Sequence, residues 1–276
     1  MNRLYCLIIL LSPLFGHAQG GFSGGVYFLG EYSLDKFETE GMNSFVSTFN
    51  DFWGNKLSQP YEEFTGSEFS HGNFGMGFRV ISSGHVGFSA GTAFLYGRKT
   101  FTHSATWNNG VVNDLDFYAR DLQWSINLGI HIENLLFLEA YADANIRKLE
   151  MGHYTVYQDG SRSLSSEYKL NGLYTGTVSS MDVGFQAGLR LYNYFMIFCK
   201  PTWPMKNFPP GKDLIGLDDY TTVNYPPSEF PSDYRLYATD PVSFVEQDKG
   251  VKTDQFEGFR LAFGIEIIFG ARPKDE

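Results

Sequence analysis

The stretch that decides the fold is Asp121–Ile132, which reads DLQWSINLGIHI. Apolar and polar residues alternate along it without a break. Because successive side chains of a β-strand point to opposite faces, this pattern predicts a strand with one apolar and one polar face. Its length is close to the roughly ten residues that a tilted strand needs to cross a bilayer. The apolar face carries Leu122, Trp124, Ile126, Leu128, Ile130 and Ile132, and the polar face carries Asp121, Gln123, Ser125, Asn127, Gly129 and His131.

The same alternation recurs along the chain, without a fixed repeat period. In the last such segment, Phe263, Ile265 and Ile267 alternate with Gly264 and Glu266. Eight segments are predicted as strands on this pattern. They are Phe22–Tyr32, Gly72–Val80, Val86–Tyr96, Leu122–Ile132, Leu135–Ile146, Val178–Leu191, Phe195–Met205 and Phe259–Phe269.

Short and long gaps alternate between these segments. Tight turns at one end of a sheet and long loops at the other are typical of outer-membrane barrels, which have short periplasmic turns and long extracellular loops. The predicted fold is therefore all-β, an eight-stranded antiparallel up-and-down transmembrane β-barrel. The tight gaps are Ile81–His85, Glu133–Asn134 and Asn193–Tyr194; the wide gaps are Leu34–Glu68, His103–Asp114, Gln158–Leu170 and Lys206–Asp254.

Alternation alone does not decide which face points outward, since a soluble barrel such as a lipocalin buries its apolar face. Two features favour the membrane arrangement over the soluble one. The polar face mixes acidic and basic residues with glycine, as a packed lumen requires. Aromatic residues also cluster near both ends of the strands, where membrane barrels carry interfacial girdles. These aromatic residues are Phe22, Phe137, Tyr192, Tyr194, Phe195 and Phe269 at the turn end, and Tyr32, Phe74, Tyr96 and Tyr118 at the loop end.

The N-terminus predicts export to the cell outer membrane. Residues 1–18 have the order of a signal peptide: Arg3, the apolar run Leu4–Phe15, and small residues at the −3 and −1 positions of a cut after Ala18. The apolar run is too short for a spanning helix. Residues 19–276 then form the barrel domain. Cys199 is the only cysteine of that domain, so no disulfide framework is expected.

The charge balance narrows the choice of partners. The chain has 31 acidic and 21 basic residues and a formal net charge of −10; loss of Arg3 with the signal leaves 31 and 20, which gives −11. Nucleic acid is not expected as a partner, because phosphate binding needs a basic face. Expected partners are outer-membrane lipid and an envelope protein that contacts the extracellular loops.

The inward face of the predicted barrel carries charges of both signs in similar numbers. An eight-stranded barrel is filled by its own side chains, and an unpaired buried charge is costly, so these residues are predicted to form an ion-pair network. A proton or ion path along the same residues is the alternative. The network comprises Arg79, Asp121, Glu139, Asp143, Arg147, Asp182, Arg190, Arg260 and Glu266.

The chain resembles the small OmpX-like and OmpA-type transmembrane barrels and the outer-membrane β-barrel proteins of Bacteroidetes, including the PorT-like group. The resemblance rests on the alternating strands, the tight turns and the closing strand. Within that strand, residues 263–269 look like the aromatic-ended signal that the barrel-insertion machinery reads. The pattern departs from the family where Gly270–Glu276 follow it, and Pro201 and Pro204 predict that the seventh strand ends near Lys200 or carries a bulge.

No residue pattern predicts a reaction, a cofactor or a metal site. His103-Ser104 is the only neighbouring pair of catalytic types, but adjacent strand residues point to opposite faces, so it does not form a nucleophile and base. His131 is expected to be a satisfied core histidine, and His71 and His153 have no evident partners. No spacing of His, Cys or Asp suggests a zinc site. The protein is therefore predicted not to be an enzyme.

The two longest loops, residues 34–68 and 206–254, carry the functional prediction. Met42, Phe45, Phe49 and Phe52 recur at helical spacing and predict an amphipathic helix that caps the barrel. The leading hypothesis is a binding or accessory component of the cell envelope that acts through these loops. The alternatives are a narrow conduit for small or apolar solutes and a lipid-modifying enzyme. The predicted recognition surface in the second loop consists of Tyr220, Tyr225, Phe230, Tyr234 and Tyr237, and a self-packed lid over the barrel mouth is the alternative for the same residues.

Overall fold

The computed structural model describes residues 22–37, 39–164, 173–191, 194–205, 232–235 and 258–270. The predicted signal peptide lies outside these residues, as does the loop 206–254 apart from residues 232–235. The described strands are β1 (Phe22–Asp35), β2 (Leu57–Gln59), β3 (His71–Ser82), β4 (Val86–Trp107), β5 (Val112–Ile132), β6 (Leu136–Val156), β7 (Arg162–Leu164), β8 (Leu173–Leu191), β9 (Phe195–Pro204) and β10 (Arg260–Gly270). An α-helix, α1, spans Glu40–Trp53, and 3₁₀ turns lie at Gly54–Lys56 and Ser67–Phe69.

The strands form a closed antiparallel ring. Going round it, β4 pairs with β3, β3 with β1, β1 with β10, and the ring continues through β9, β8, β6 and β5 back to β4. Closure gives each of the eight strands in the ring a neighbour on both sides, as a sheet in lipid requires. The all-β antiparallel prediction is confirmed. The predicted total of eight is not, because the described part of the sheet also contains the three-residue strands β2 and β7, which attach to β4 and β6.

The two faces of the ring have opposite chemistry. On β5, the outward side chain of Trp124 is 46% exposed, whereas the inward neighbour Gln123 is 4% exposed. The same trend holds round the ring: the outward face is mainly apolar, and the buried inward face carries the charged residues together with a smaller apolar cluster that includes Leu29, Leu95 and Phe198. This is the reverse of a soluble barrel, as the sequence pattern predicts. The largest exposed apolar side chains include Val26, Phe28, Phe74, Met76, Phe94, Leu122, Leu138, Phe185, Phe263 and Ile265.

β4 and β5 are about twice as long as predicted, and they project beyond the belt of exposed apolar side chains on the outside of the barrel, which we call the apolar band. β6 projects with them, as the strand-like pattern of Leu149–Tyr157 predicts. β4, β5 and β6 have 22, 21 and 21 residues. Above Asp121 the two faces of β5 exchange character: Phe117 and Leu115 point inward and are buried, while Asp116 and Arg120 lie on the outward face. Apolar and polar residues therefore still alternate along β5, but here the apolar residues face inward and the polar ones outward. This exchange marks the edge of the apolar band.

The predicted wide gap His103–Asp114 is wrong for the same reason, whereas Gln158–Leu170 lies between β6 and β8 as predicted, and its described residues contain only the short strand β7. The first is strand except for a four-residue turn closed at Gly110, and the second begins with a similar turn at Gly160 and then β7. Both glycines have a positive φ, of 82° and 80°. Residues 165–170 lie outside the described part of the chain.

The opposite end of the barrel has tight turns, as predicted. Glu133 and Asn134 connect β5 to β6, both with positive φ (51° and 53°), which is the geometry of a type I′ hairpin turn. Gly84, with φ of 119°, lies in the turn between β3 and β4. We refer to this side as the turn end and to the other as the loop end.

Helix α1 confirms the amphipathic segment that the first long loop predicts. Its buried residues are Met42, Phe45, Val46 and Phe49. Phe52 is partly buried and packs against the hydrophobic cluster to which these residues belong. Among the described residues, no helix has the length and apolar character that crossing a membrane requires.

Small inward residues make room for large ones in the lumen. Gly77 of β3 points inward, and a Cβ atom there would overlap the ring of Tyr27 and the carbonyl oxygen of Thr92. Gly30 of β1 lies on the other face, and a Cβ atom there would have no heavy atom within 4 Å. The lumen is therefore packed closely at the level of Tyr27.

We expect Gly77→Ala to lower the free energy of unfolding by about 1–3 kcal/mol, since the added methyl group overpacks the lumen. Gly30→Ala is the matched control and should change it by less than about 0.5 kcal/mol. Urea unfolding of the reconstituted protein, followed by tryptophan fluorescence, measures both. Equal stability of the two variants would contradict the close packing at this level.

Candidate functional site: the charged lumen and the head

The centre of the lumen is an arginine held between two carboxylates. The Arg79 guanidinium of β3 lies 2.9 Å from the Glu139 carboxylate and 3.2 Å from that of Glu266. It is 1% exposed. Asn127 donates a hydrogen bond to Glu139 at 2.6 Å, and Gln186 donates one to Glu266 at 3.2 Å. Opposite charges on three strands, β3, β6 and β10, thus meet at one level.

A second group of charges lies nearer the loop end. Lys200 lies 2.9 Å from the carboxylate of Asp143, to which Gln123 also donates a hydrogen bond at 2.8 Å. Arg260 lies 2.5 Å from Asp182 and 4.0 Å from Asp143. These contacts join β6, β8, β9 and β10 across the lumen.

The uppermost group contains a histidine that sequence reasoning left without a partner. Arg147 donates two hydrogen bonds to Asp121, at 2.6 and 2.7 Å. His71 lies between two carboxylates, with Nδ1 3.2 Å from Asp35 and Nε2 3.0 Å from Asp121. The partners of His71 come from β1 and β5, and only knowledge of the strand register would have placed them beside it.

The structure thus brings together eight of the nine predicted network residues in three groups. The ninth, Arg190, lies half-buried on β8 towards the turn end. Sequence reasoning did not include Asp35 and His71 in the network, or the neutral donors Gln123, Asn127 and Gln186. Between the groups, the cavity lined by Arg79, Lys200 and Glu266 has room for about one water molecule.

The loop end of the lumen is covered by a separate hydrophobic core, which we call the head. The head consists of α1, residues 54–70, Tyr234 and the parts of β4, β5 and β6 beyond the apolar band. The Arg147 guanidinium lies 4.6 Å from the ring centre of Phe37, and Phe37 packs edge-on against Phe69 at 5.1 Å. The head core is therefore in direct contact with the uppermost ion pair. Its buried residues are Phe37, Met42, Phe45, Val46, Phe49, Tyr61, Phe64, Phe69, Ala105, Leu115, Phe117, Ala119, Leu149, Met151 and Tyr234.

Two asparagines fasten the helix to the segment that follows it. The Asn43 side chain donates to the carbonyl of Phe64 at 3.0 Å and accepts from its N–H at 2.7 Å. Asn50, seven residues later on the same face, makes the same pair of bonds with Tyr61, both at 3.0 Å. Each amide thus satisfies backbone groups that a loop at a buried surface would otherwise leave unpaired.

Tyr234 corrects the predicted recognition surface. It is 1% exposed, accepts a hydrogen bond from the Trp53 indole at 3.0 Å, and donates its backbone N–H to Thr48 at 2.9 Å. Its ring packs at 4.6 Å from Phe49. Tyr234 therefore anchors residues 232–235 to the head core and is not part of an exposed surface. Tyr220, Tyr225, Phe230 and Tyr237 lie outside the described residues.

His103 and Ser104 lie on opposite faces of β4. His103 stacks on Phe64 at 4.3 Å and approaches Glu68 at 3.2 Å, whereas Ser104 donates to Asp114 at 2.7 Å on the outer face. His131 is buried in the lumen with Nε2 2.7 Å from the carbonyl oxygen of Ser82. Among the described residues, no group of three or more His, Cys, Asp or Glu is arranged to hold a metal ion.

A closed antiparallel barrel with an apolar exterior and a charged, filled lumen defines the class of transmembrane β-barrels. No protein-family model matches the sequence, and no curated protein is significantly similar to it. Among solved structures, the chain is similar to the crystal structure of Ail, the attachment invasion locus protein of Yersinia pestis, in complex with the heparin analogue sucrose octasulfate. The two share 8% identity, with 90% of this chain and 99% of that chain covered and a TM-score of 0.34. The more specific PorT-like and OmpA-type resemblance stays a prediction.

We expect Arg79→Met to lower the free energy of unfolding by about 3–5 kcal/mol, because it leaves two buried carboxylates without their cation. The triple variant Arg79→Met, Glu139→Gln, Glu266→Gln removes all three charges and should recover at least half of that loss. Urea unfolding in lipid vesicles measures both. A loss below about 1 kcal/mol in the single variant would show that the charges at this level are not coupled.

His153 makes the stability of the head depend on pH. It lies in the head core, 2% exposed, with the rings of Phe45, Phe49 and Tyr234 between 6.0 and 6.5 Å away. Neither ring nitrogen has a hydrogen-bond partner among the described residues. Burial lowers the pKa of His153 from 6.5 to about 4. The ring is therefore neutral at pH 7.

The unfolded chain binds a proton at His153 more readily than the folded head does. Stability is therefore complete above pH 6.5 and is lost as the pH falls from 6.5 through about 4, by up to about 3 kcal/mol. We expect His153→Leu to remove this part of the pH dependence. Thermal unfolding of both proteins at several pH values between 7 and 4 measures it, and parallel profiles would contradict the assignment.

Proposed function

We propose that this protein is an eight-stranded outer-membrane β-barrel with a sealed lumen that acts through its head as a binding or accessory component of the cell envelope. The described pairings support the eight strands, since β1, β3, β4, β5, β6, β8, β9 and β10 suffice to close the ring. The exposed apolar band supports the membrane position. By the rule for such barrels, the turn end faces the periplasm and the head faces outward.

The main support for the proposal is that the lumen of the barrel is sealed. Three groups of buried ion pairs cross the lumen, and the head core covers the uppermost one through the contact of Arg147 with Phe37. An ion crossing this lumen would have to displace paired charges that hold one another by hydrogen bonds. The lumen therefore serves as a rigid support, and the function is assigned to the surface above it.

The head has the properties of a built surface rather than of a flexible loop. Nine residues of β5, Val112–Arg120, lie beyond the apolar band, which is roughly 30 Å of strand. Arg162 of β7 bridges Asp114 and Asp116 on their outer face, at 3.0 and 2.7 Å. A rigid surface loses little conformational freedom on binding, which favours recognition of a protein partner or surface ligand.

We also propose that the protein is not an enzyme. The side chains of His103 and Ser104 point to opposite faces of β4, and each is engaged by a carboxylate of its own, Glu68 and Asp114. A nucleophile and its base need to be within hydrogen-bond reach of each other. This geometry supports a binding function over a lipid-modifying one.

Planar-bilayer recordings test the seal, and affinity purification tests the head. We expect no stepwise conductance from the wild-type protein. We also expect a stoichiometric companion to co-purify from native outer membranes, and Asn43→Ala with Asn50→Ala to abolish its recovery by releasing residues 61–64 from α1. Asn55→Ala, an exposed asparagine of the same region, is the control and should keep the companion. Steady conductance would refute the seal; a companion retained by the double variant would refute the role of the head.

The junction between β8 and β9 favours a second candidate function, a lateral conduit for apolar solutes. β9 extends to Pro204 and does not end near Lys200, but its register with β8 lacks the pairs that would join Phe185 and Gln186 to Pro201 and Lys200. Pro201 has no N–H to donate, and the Tyr141 hydroxyl donates to its carbonyl from the lumen at 2.7 Å. Uptake of an apolar dye by reconstituted vesicles would support this candidate; its absence would exclude it.

A further inference from the structure

Three cations stand side by side on the outer wall of the barrel. Arg98 of β4 is the direct cross-strand partner of Arg120 of β5, and Arg120 is the partner of Lys148 of β6. All three side chains are exposed on the outward face. Adjacent strands lie about 4.8 Å apart, so the row is roughly 10 Å wide. We call these three residues the basic row.

The basic row lies at the upper edge of the apolar band. One outward step towards the turn end, the same three strands carry Tyr96, Leu122 and Ile146, which are cross-strand partners of one another. One step towards the loop end, they carry Thr100, Tyr118 and Glu150. On the proposed membrane position, the row is therefore at the height of the lipid headgroups of the outer leaflet.

The row is poorly neutralised within the protein. Like charges directly opposite each other on neighbouring strands are destabilising. Among the described residues, Glu150 lies 2.8 Å from Lys148, but neither Arg98 nor Arg120 forms an ion pair with a carboxylate. The arrangement is thus unfavourable by itself and becomes favourable when an anion binds between the guanidiniums.

Tyr118 holds the two arginines in place. Its ring centre lies 4.9 Å from the Arg98 guanidinium and 5.2 Å from that of Arg120, and Arg120 Nε donates to its hydroxyl at 2.9 Å. Arg120 uses its Nε–H on Tyr118, which leaves the terminal N–H groups of both guanidiniums for another acceptor. Such a fixed pair matches the geometry of phosphate oxygens, which arginine binds through two parallel hydrogen bonds.

We propose that the basic row, with Tyr118, is a binding site for the phosphate groups of lipopolysaccharide in the outer leaflet. The inference rests on the proposed outer-membrane position. Charge complementarity and height identify the occupant: a phosphate-bearing lipid presents its anionic groups directly above its acyl chains, and Leu122 and Ile146 continue the site downward as the surface for those chains. A protein partner would instead be expected at the tip of the head.

Native mass spectrometry of the full-length protein in detergent, titrated with diphosphorylated lipid A and with the same lipid lacking phosphates, tests the site. We expect wild type to bind the phosphorylated form at least tenfold more tightly. The triple variant Arg98→Gln, Arg120→Gln, Lys148→Gln should lose that preference. The charge-preserving variant Arg98→Lys, Arg120→Lys should bind more weakly than wild type but keep part of the preference, because it retains the charges and loses the paired N–H groups. Added inorganic phosphate should compete only weakly because it lacks the acyl chains. Lys36→Gln, an exposed cation at the loop end of β1, is the single-charge control and should behave as wild type.

The possible outcomes distinguish a failure of the lipid-binding site from a failure of the proposed outer-membrane position. Heat-modifiable migration on gels and resistance to extraction from the outer membrane report on the barrel, and they are measured for every variant. If the wild-type protein is inserted but binds the two forms of lipid A equally, the basic row is not a phosphate site, although the membrane position still stands. The same conclusion follows if the triple variant folds and still prefers the phosphorylated lipid. A wild-type protein absent from the outer membrane overturns the proposed function itself. Full competition by inorganic phosphate would replace the lipid with a free anion as ligand.

Discussion

The pairing of Arg79 with Glu139 and Glu266 is the interaction on which the rest of the structure depends. A barrel that turns its apolar residues to lipid must place its polar residues inside, where charges are tolerated only in pairs. β3, β6 and β10 meet at this arginine, although β3 and β10 are separated by most of the chain. The contact therefore fixes the register of strands on both sides of the seam where the first and last strands join.

The head solves the opposite problem with β4, β5 and β6, which also form part of the barrel wall. Beyond the apolar band the surroundings are water, so the apolar residues of β4, β5 and β6 move to the inner face and require something to cover them. Helix α1 supplies that cover with Met42, Phe45, Val46 and Phe49, and Tyr234 closes its far side. Barrel and head thus share strands but have cores of inverse chemistry, which meet where Arg147 touches Phe37.

The sequence predicted what depends on period-two alternation and missed what depends on register. Residues 121–132 identify a membrane strand because their pattern is regular over the height of a bilayer. Residues 112–120 continue the same strand, yet the exchange of faces at Asp121 resembles the end of the pattern, so the predicted strand begins only at Leu122 and residues 112–114 fall in a predicted gap. The partners of His71 lie on strands whose pairing no local pattern reveals. Tyr234 looked like a surface residue because aromatic residues in a long loop carry no sign of whether they fold inward.

The exchange of faces has a consequence for the order of assembly. The outer faces of the β4–β5 and β6–β7 hairpins carry Asp114, Asp116 and Arg162, which must pass through the apolar layer before they reach water on the other side. The core partners of α1 come from three later strands and from Tyr234, nearly two hundred positions further along the chain. Contacts so distant in sequence form late, because the intervening chain must first be ordered. Helix α1 is translated early, and we expect it to be buried late, so that its phenylalanines stay exposed for longer than the other residues of the head core during transit.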